Sequence, residues 1–265
     1  MARDARATGR DVTAPRPALL PVGVGAAYAR PGEAQSCYLV RAGGRAVALD
    51  LGSGALNRLQ RHIPPEDLDA LVITHLHPDH CVDVLSLRVY LTYGPPSGRT
   101  LRVLGPPELL SRLDALDPVG GPDRWDAVRF EPLTGGEGER DLGGGMTLRY
   151  REVPHLPPTF ALRIDAGGGA VCFGADCVDN EALPALAEGA DVLVCECSFG
   201  GDPVPEGAMH LNGARAGGIG ARAGARRLLL THCFPEHDRD AALAAAAEAF
   251  GGPVGWATQD EVVAA

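Results

Sequence analysis

His75-Leu76-His77-Pro78-Asp79-His80 places four metal-binding side chains within six consecutive residues. The apolar run Leu68 to Thr74 precedes them and reads as a buried strand ending at the first histidine. A strand entering a short loop fixes side-chain directions. His75 and His77, two apart, can lean toward one point while Asp79 and His80 swing past it to a second. Imidazole and carboxylate together suit zinc or a neighbouring first-row metal. The plainer alternative is a polar turn whose histidines only satisfy local backbone. Three histidines and an aspartate in so short a stretch argue against it.

Three further polar residues stand at the ends of apolar strands. His155 follows Thr147 to Val153, Asp176 follows Ala170 to Ala175, and His232 follows Leu228 to Thr231. Strand ends converge on one edge of a sheet, so each is placed where a shared site can form. Alone, each reads more readily as a turn residue than as a ligand. Together they complete two sites: His75, His77 and His155 can hold one metal, and Asp79, His80 and His232 the other, with Asp176 bridging. Water or substrate takes the remaining coordination positions, the openness that separates a catalytic zinc site from a structural one.

The intervening sequence supplies a scaffold of strands and helices. Ser36 to Val40 and Arg45 to Asp50 read as a hairpin across Ala42-Gly43-Gly44. A helix is predicted from Gly54 through Ile63 and stopped by Pro64-Pro65, another over Val82 to Tyr90, and another over Glu108 to Leu116. Asp117 to Asp126 and Gly135 to Gly145 read as turn-rich loops. The C-terminal half adds strands at Phe160 to Ile164, Asp191 to Cys195 and Val254 to Thr258. Its helices fall at Glu181 to Glu188, Asn212 to Ala223 and Asp238 to Phe250, the last N-capped by Asp238. Strands mixed with helices along both halves, with no linker between them, indicate an α/β fold: a four-layer αββα sandwich forming one domain over 18–265. Residues 1–17 carry Arg, Ala and Thr but no apolar core, and read as a disordered tail rather than a signal peptide.

Composition narrows the function classes. A formal charge of −10 and a pI near 5.2 disfavour long nucleic acid as a partner, and no basic stripe offsets them. No run approaches the roughly 20 apolar residues of a membrane span. Without an export signal the expected compartment is the cytoplasm, where the seven cysteines stay reduced. Cys81, Cys177 and Cys233 each follow a candidate ligand and read as small buried hydrophobes rather than ligands.

His-x-His-x-Asp-His followed by a later His, Asp and His resembles the metallo-β-lactamase superfamily, in its ribonuclease Z and phosphodiesterase branch. Asp50-Leu51-Gly52-Ser53-Gly54 is similar to the family's early Asp-x-Gly-x-Gly loop. Val153-Pro154-His155 with Phe160 to Ile164 resembles its third metal motif, and Glu196 matches a common acidic position. His210 and Thr231-His232 match its last two motifs. His80-Cys81-Val82-Asp83, Leu104-Gly105-Pro106-Pro107, Met209-His210-Leu211-Asn212-Gly213 and Gly252-Pro253-Val254 are similar to the actinobacterial atypical cyclic-nucleotide phosphodiesterases. One departure stands out: the family has Gly-Asp-Thr around the bridging aspartate, where this chain has Gly174-Ala175-Asp176-Cys177.

The resemblance implies two divalent cations, zinc first, with manganese, iron or cobalt as alternatives. It also implies hydrolysis of small phosphodiesters such as cyclic nucleotides by a metal-bridging hydroxide. Asp79, also a ligand, and His210 are the catalytic assignments. His210 is the expected proton donor because an ordinary histidine titrates near ambient pH. A tRNA-cleaving ribonuclease Z is the second reading. Enzymes of that type carry a long arm between the third-motif histidine and the bridging aspartate, whereas His155 and Asp176 are only 21 positions apart. Hydrolysis of a carboxylic ester, thioester or lactone is a third, and a metal- or nucleotide-binding protein with a degenerate site a fourth. Leu87 to Pro96 and Gly200 to Ala208 are the expected pocket walls, and the branch often forms homodimers.

Overall fold

Alternation along each strand decides the layering. In the segment Arg45–Leu49, Val47 and Leu49 join one apolar cluster, while Ala46 and Ala48 join another on the opposite face. In Gly169–Phe173, Val171 and Phe173 point one way, Ala170 and Cys172 the other. Strands covered on both faces show unbroken burial, as these do beyond the exposed Arg45. The computed structural model describes residues 15–94, 100–118 and 124–265.

The first sheet contains β1 (Ala18–Gly23), β2 (Cys37–Ala42), β3 (Arg45–Leu49), β4 (Ala70–Val72), β5 (Leu101–Gly105) and β6 (Val128–Pro132). The second contains β7 (Glu137–Gly143), β8 (Met146–Val153), β9 (Thr159–Ala166), β10 (Gly169–Phe173), β11 (Val192–Glu196), β12 (Leu228–Thr231) and β13 (Val254–Trp256). A short β14 (Val263–Ala264) returns to pair with β1, so the spatial orders are β14-β1-β2-β3-β4-β5-β6 and β13-β12-β11-β10-β9-β8-β7. In each sheet four consecutive strands run parallel, β3 to β6 and β10 to β13, and the others antiparallel.

Tyr38, Val47, Leu49, Val72 and Leu104 of the first sheet meet Leu148, Tyr150, Leu162, Ile164 and Phe173 of the second in a shared core. The outer face of the first sheet is covered by α1 (Ala55–Leu59), α2 (Pro78–Cys81), α3 (Val84–Tyr93) and α4 (Leu109–Leu116). The outer face of the second is covered by α5 (Ala182–Leu186), α6 (Gly213–Ala223) and α7 (Arg239–Phe250). This is the predicted αββα sandwich. Helices α6 and α7 approach closely because Gly213 and Gly217 lack side chains. A Cβ on either would stand 2.2 Å from the Ala242 carbonyl oxygen or 2.5 Å from that of Ala246. Asp238 caps α7 as expected, accepting from the Asp240 and Ala241 amides.

Several local expectations change. The 135–145 segment is not a loop: it holds β7, an edge strand with an almost wholly polar sequence. Its pairing with β8 sets Glu137 opposite Arg151 and Glu139 opposite Arg149, with ion pairs at 2.6 and 3.2 Å. Cross-strand charges replace the apolar alternation by which a strand is usually recognised. Strands β1, β6 and β14 likewise add to the predicted elements. Helix α1 ends at Leu59, and the residues up to Ile63 continue as irregular turns. Pro78–Cys81 is a helical turn rather than a loop, with Pro78 at its first position where a missing N–H costs nothing. Of the expected 1–17 tail, residues 1–14 lie outside the described residues. Arg16 pairs with Asp191, and the Pro17 carbonyl accepts from the Ala265 amide at 3.0 Å.

Candidate metal centre

Both sheets deliver residues to one rim, at the ends of β4, β8, β10 and β12. The chain leaves three strands in the left-handed region without glycine: Asp50 after β3 (φ 60°), Ala175 after β10 (φ 53°) and His232 after β12 (φ 55°). Such conformations cost on the order of 1–3 kcal/mol each and persist only where the surroundings impose them. Backbone bonds hold two of them, from the Asp50 amide to the Val72 carbonyl (2.8 Å) within the first sheet and from the His232 amide across to the Val24 carbonyl, just past β1 of the other sheet (3.1 Å).

The structure brings all seven predicted ligand residues together. His75, His77, His155 and Asp176 form one group, and Asp79, His80, Asp176 and His232 another, their donor atoms within 4.8 Å of each other. Asp176 belongs to both groups, the position expected of a bridge. In the first group His75 Nε2 lies 3.1 Å from His77 Nδ1, which lies 3.3 Å from His155 Nε2. In the second, His232 Nε2 lies 3.1 Å from an Asp79 oxygen and 3.4 Å from both His80 Nε2 and Asp176 Oδ2. Ligands about 2.0 Å from a tetrahedral zinc stand about 3.3 Å apart, so these separations fit a shared cation.

Partners outside the groups decide which nitrogens face inward. Asp50, fully buried, takes His80 Nδ1 at 2.6 Å and also accepts from Ser36 Oγ, the Thr74 amide and Thr74 Oγ1. His155 Nδ1 donates to the Met209 carbonyl at 2.9 Å, and His232 Nδ1 lies 3.0 Å from Ser198 Oγ. With the Nδ1 atoms engaged, the Nε2 atoms of His80, His155 and His232 turn toward the centre.

Electrostatics divide the groups. Burial pushes His75 well below the ordinary histidine range, and burial lowers His77 and His155 as well, leaving neutral imidazoles suited to ligation. Burial also opposes charge on His80 and His232, but Asp176 outweighs it, with help from Asp50 for His80 and from Asp79 for His232, and both rise. A divalent cation would displace those protons, so binding there is favoured as pH rises.

His210 sits at the rim against Glu196. Its Nδ1 lies 2.9 Å from Glu196 Oε1 and 3.9 Å from Asp176. Burial alone would lower its pKa, but the Glu196 carboxylate holds it up to about 9. This corrects the expectation of titration near ambient pH: the buried Glu196 carboxylate favours the imidazolium form of His210. Glu196, His210 and His232 form a third group of possible ligands. We read Glu196 as an anchor instead, because its oxygens already accept from the Cys177, Ser198 and Leu211 amides, from Ser198 Oγ and from His210.

Asp50 and Glu196 are the functional residues missing from the predicted set, though both end apolar strands as Asp176 does. The expected wall at Leu87 to Pro96 also differs. Leu87 and Leu91 face the core under the first sheet, and residues 95–99 lie outside the described residues. The cavity beside His77, about 630 Å³, lies instead between α4 and the Leu156-Pro157 segment. Across the rim, Phe199 and Phe234 flank His210 at 6.4 and 6.1 Å between ring centres. All seven cysteines are free and buried, as expected of small hydrophobes.

Residues 46–233 match the beta-lactamase superfamily domain. The chain belongs to the metallo-β-lactamase superfamily. It is 37% identical to an uncharacterised Mycobacterium bovis protein over 87% of this chain and 86% of that one. It is 31% identical to the probable metallo-hydrolase YhfI of Bacillus subtilis over 78% and 83% of the two chains. The crystal structure of YhfI superposes with a TM-score of 0.84 at 27% identity, covering 94% of this chain and all of that one. Human short-form tRNase Z shares the fold at 20% identity, with a TM-score of 0.69 over 93% and 98%. As a metallo-hydrolase of this superfamily the chain binds divalent metal, and the two buried groups are the donor sets that fit it. Among the described residues no helix is long and apolar enough to cross a membrane.

Proposed function

We propose that this chain is a phosphodiesterase acting on small phosphodiesters such as cyclic nucleotides, with two divalent cations, zinc first, held by the groups that share Asp176. When bound, such cations supply Lewis acidity and bring the pKa of water near 7. His75, His77 and His155 would hold one, and Asp79, His80 and His232 the other. Asp50 keeps His80 Nε2 facing the centre, and the Met209 carbonyl does the same for His155.

The observation that carries the reading is the Glu196–His210 pair at the edge of these groups. An imidazolium beside the centre meets an anionic phosphodiester with opposite charge and holds a proton for a departing alkoxide. Glu196 takes Nδ1, which leaves His210 Nε2–H as the transferable proton. Acyl substrates are neutral and gain less from that charge. Relatives named ribonuclease Z, including one from Mycobacterium marinum at 28% identity over 88% of this chain, also favour phosphoryl over acyl chemistry.

Those relatives make tRNA cleavage the second reading. Against it stands the interval from His155 to Asp176, which is filled by β9, a turn at Gly167-Gly168 and β10, with no room for an arm. The test is turnover of bis(p-nitrophenyl) phosphate, 3′,5′- and 2′,3′-cyclic nucleotides and a precursor tRNA with added Zn²⁺ or Mn²⁺. Turnover of the small diesters with the tRNA left intact is expected. Cleavage of tRNA alone would establish the second reading, and no turnover of any would leave a metal-binding protein.

A further inference from the structure

The centre opens on one side into the cavity of about 630 Å³ beside His77, a volume typical of a small-molecule site. Its walls are apolar at Leu76, Ala115, Leu156 and Pro157, and Leu156 is 70% exposed. The N-cap and first turn of α4 add three polar side chains, Glu108, Ser111 and Arg112, whose spacing of three and four sets them on one side of the helix start. Ser111 donates to the Glu108 carbonyl at 2.9 Å, leaving its oxygen free to accept. Glu108 and Arg112 are spaced for an ion pair, yet among the described residues neither side chain has an ion-pair or hydrogen-bond partner.

A guanidinium only donates and a carboxylate only accepts. Side by side above apolar walls, they match a flat ring carrying acceptors and donors on one rim. A second phosphate would meet Arg112 favourably but be repelled by Glu108, and a plain alkyl or aryl arm would leave both charges unmatched. We propose that this cavity receives the nucleobase of a nucleoside phosphodiester whose phosphate lies at the metal centre. Arg112 donates to ring or carbonyl acceptors of the base, and Glu108 accepts from its N–H groups. The inference rests on the phosphodiesterase reading and goes beyond it by assigning the cavity and the two side chains that would contact the base.

Binding separates the two claims. The metal-loaded full chain is titrated calorimetrically with a nucleoside 5′-monophosphate and with ribose 5-phosphate, which lacks the base. The wild type is expected to bind the nucleotide about tenfold or more tightly than the sugar phosphate. In Arg112→Ala and Glu108→Ala that ratio is expected to collapse toward one. Both residues are exposed, while Leu109 and Leu113 anchor α4 in the core, so the variants keep the fold. Equal binding of the two ligands by the wild type, or a ratio unchanged in both variants, overturns the base site. A base-dependent ratio without turnover of any phosphodiester leaves the base site standing and removes the hydrolytic reading instead.

Discussion

Replacing Glu196 by Gln tests the proton donor without touching a proposed ligand. Wild-type His210 has its pKa held at about 9, against an ordinary 6.5, mainly by the Glu196 carboxylate. That difference corresponds to roughly 3 kcal/mol in favour of the imidazolium. At pH 7.5 a pKa of 9 leaves about 97% of His210 protonated, whereas 6.5 leaves about 9%. In Glu196→Gln the side-chain amide faces Nδ1 as a donor, so Nδ1 becomes an acceptor and the neutral ring is favoured. For substrates with alkoxide leaving groups, kcat at pH 7.5 is expected to fall about tenfold, and the deficit to close toward pH 6. For bis(p-nitrophenyl) phosphate, whose leaving group needs no proton, the loss should be small. The sign for stability follows the same shift. A raised folded-state pKa stabilises the protein fully below the unfolded value of 6.5 and loses that contribution as pH rises through about 9. NMR titration of the His210 ring in the zinc-loaded protein, run alongside pH–rate profiles, is the assay. A wild-type His210 titrating near 6.5, or an alkaline limb that stays in place in Glu196→Gln, would refute the reasoning.

His77→Ala should reduce hydrolysis more than 100-fold with an unchanged circular dichroism spectrum, since the sandwich core does not rest on a half-exposed rim imidazole; wild-type rates would discard the assigned site. Asp50→Ala strips the acceptor from four buried donors, including His80 Nδ1. It should weaken metal binding about 10- to 100-fold, measured by chelator competition, and cost roughly 3 kcal/mol or more in denaturant unfolding. Gly213→Val drives a Cβ against the Ala242 carbonyl and should destabilise the fold by about 1–3 kcal/mol without altering metal content, read by thermal melting and elemental analysis.

Much of the scaffold and the gathering of strand-end residues are legible in the sequence, because a polar residue closing an apolar run marks both a strand and its exposed tip. His155, Asp176 and His232 carry that signal. The same signal is ambiguous about direction. Asp50 and Glu196 close strands too, but each turns toward a histidine rather than the shared centre, and only three-dimensional neighbours decide this. The elevated pKa of His210 is hidden for the same reason: its cause lies 14 positions away in Glu196. Strand β7 is hidden because its stability is placed in pairing with β8 rather than in its own residues. The α4 wall of the cavity is hidden because a helix face reveals its polarity but not what it stands beside.

The two donor groups do not belong to one sheet. His75, His77, Asp79 and His80 come from the first half, His155, Asp176 and His232 from the second, and His80 Nε2 meets His232 Nε2 across the seam at 3.4 Å. A cation seated there would be a rivet through two plates. Its release would free the rim to gape while the aliphatic interior still holds the plates in register, which would make amide exchange at the tips of β4, β10 and β12 a gauge of occupancy. Neither plate alone can make the rivet hole, so the clamping of the two halves sets the site's geometry as much as the ligating side chains do.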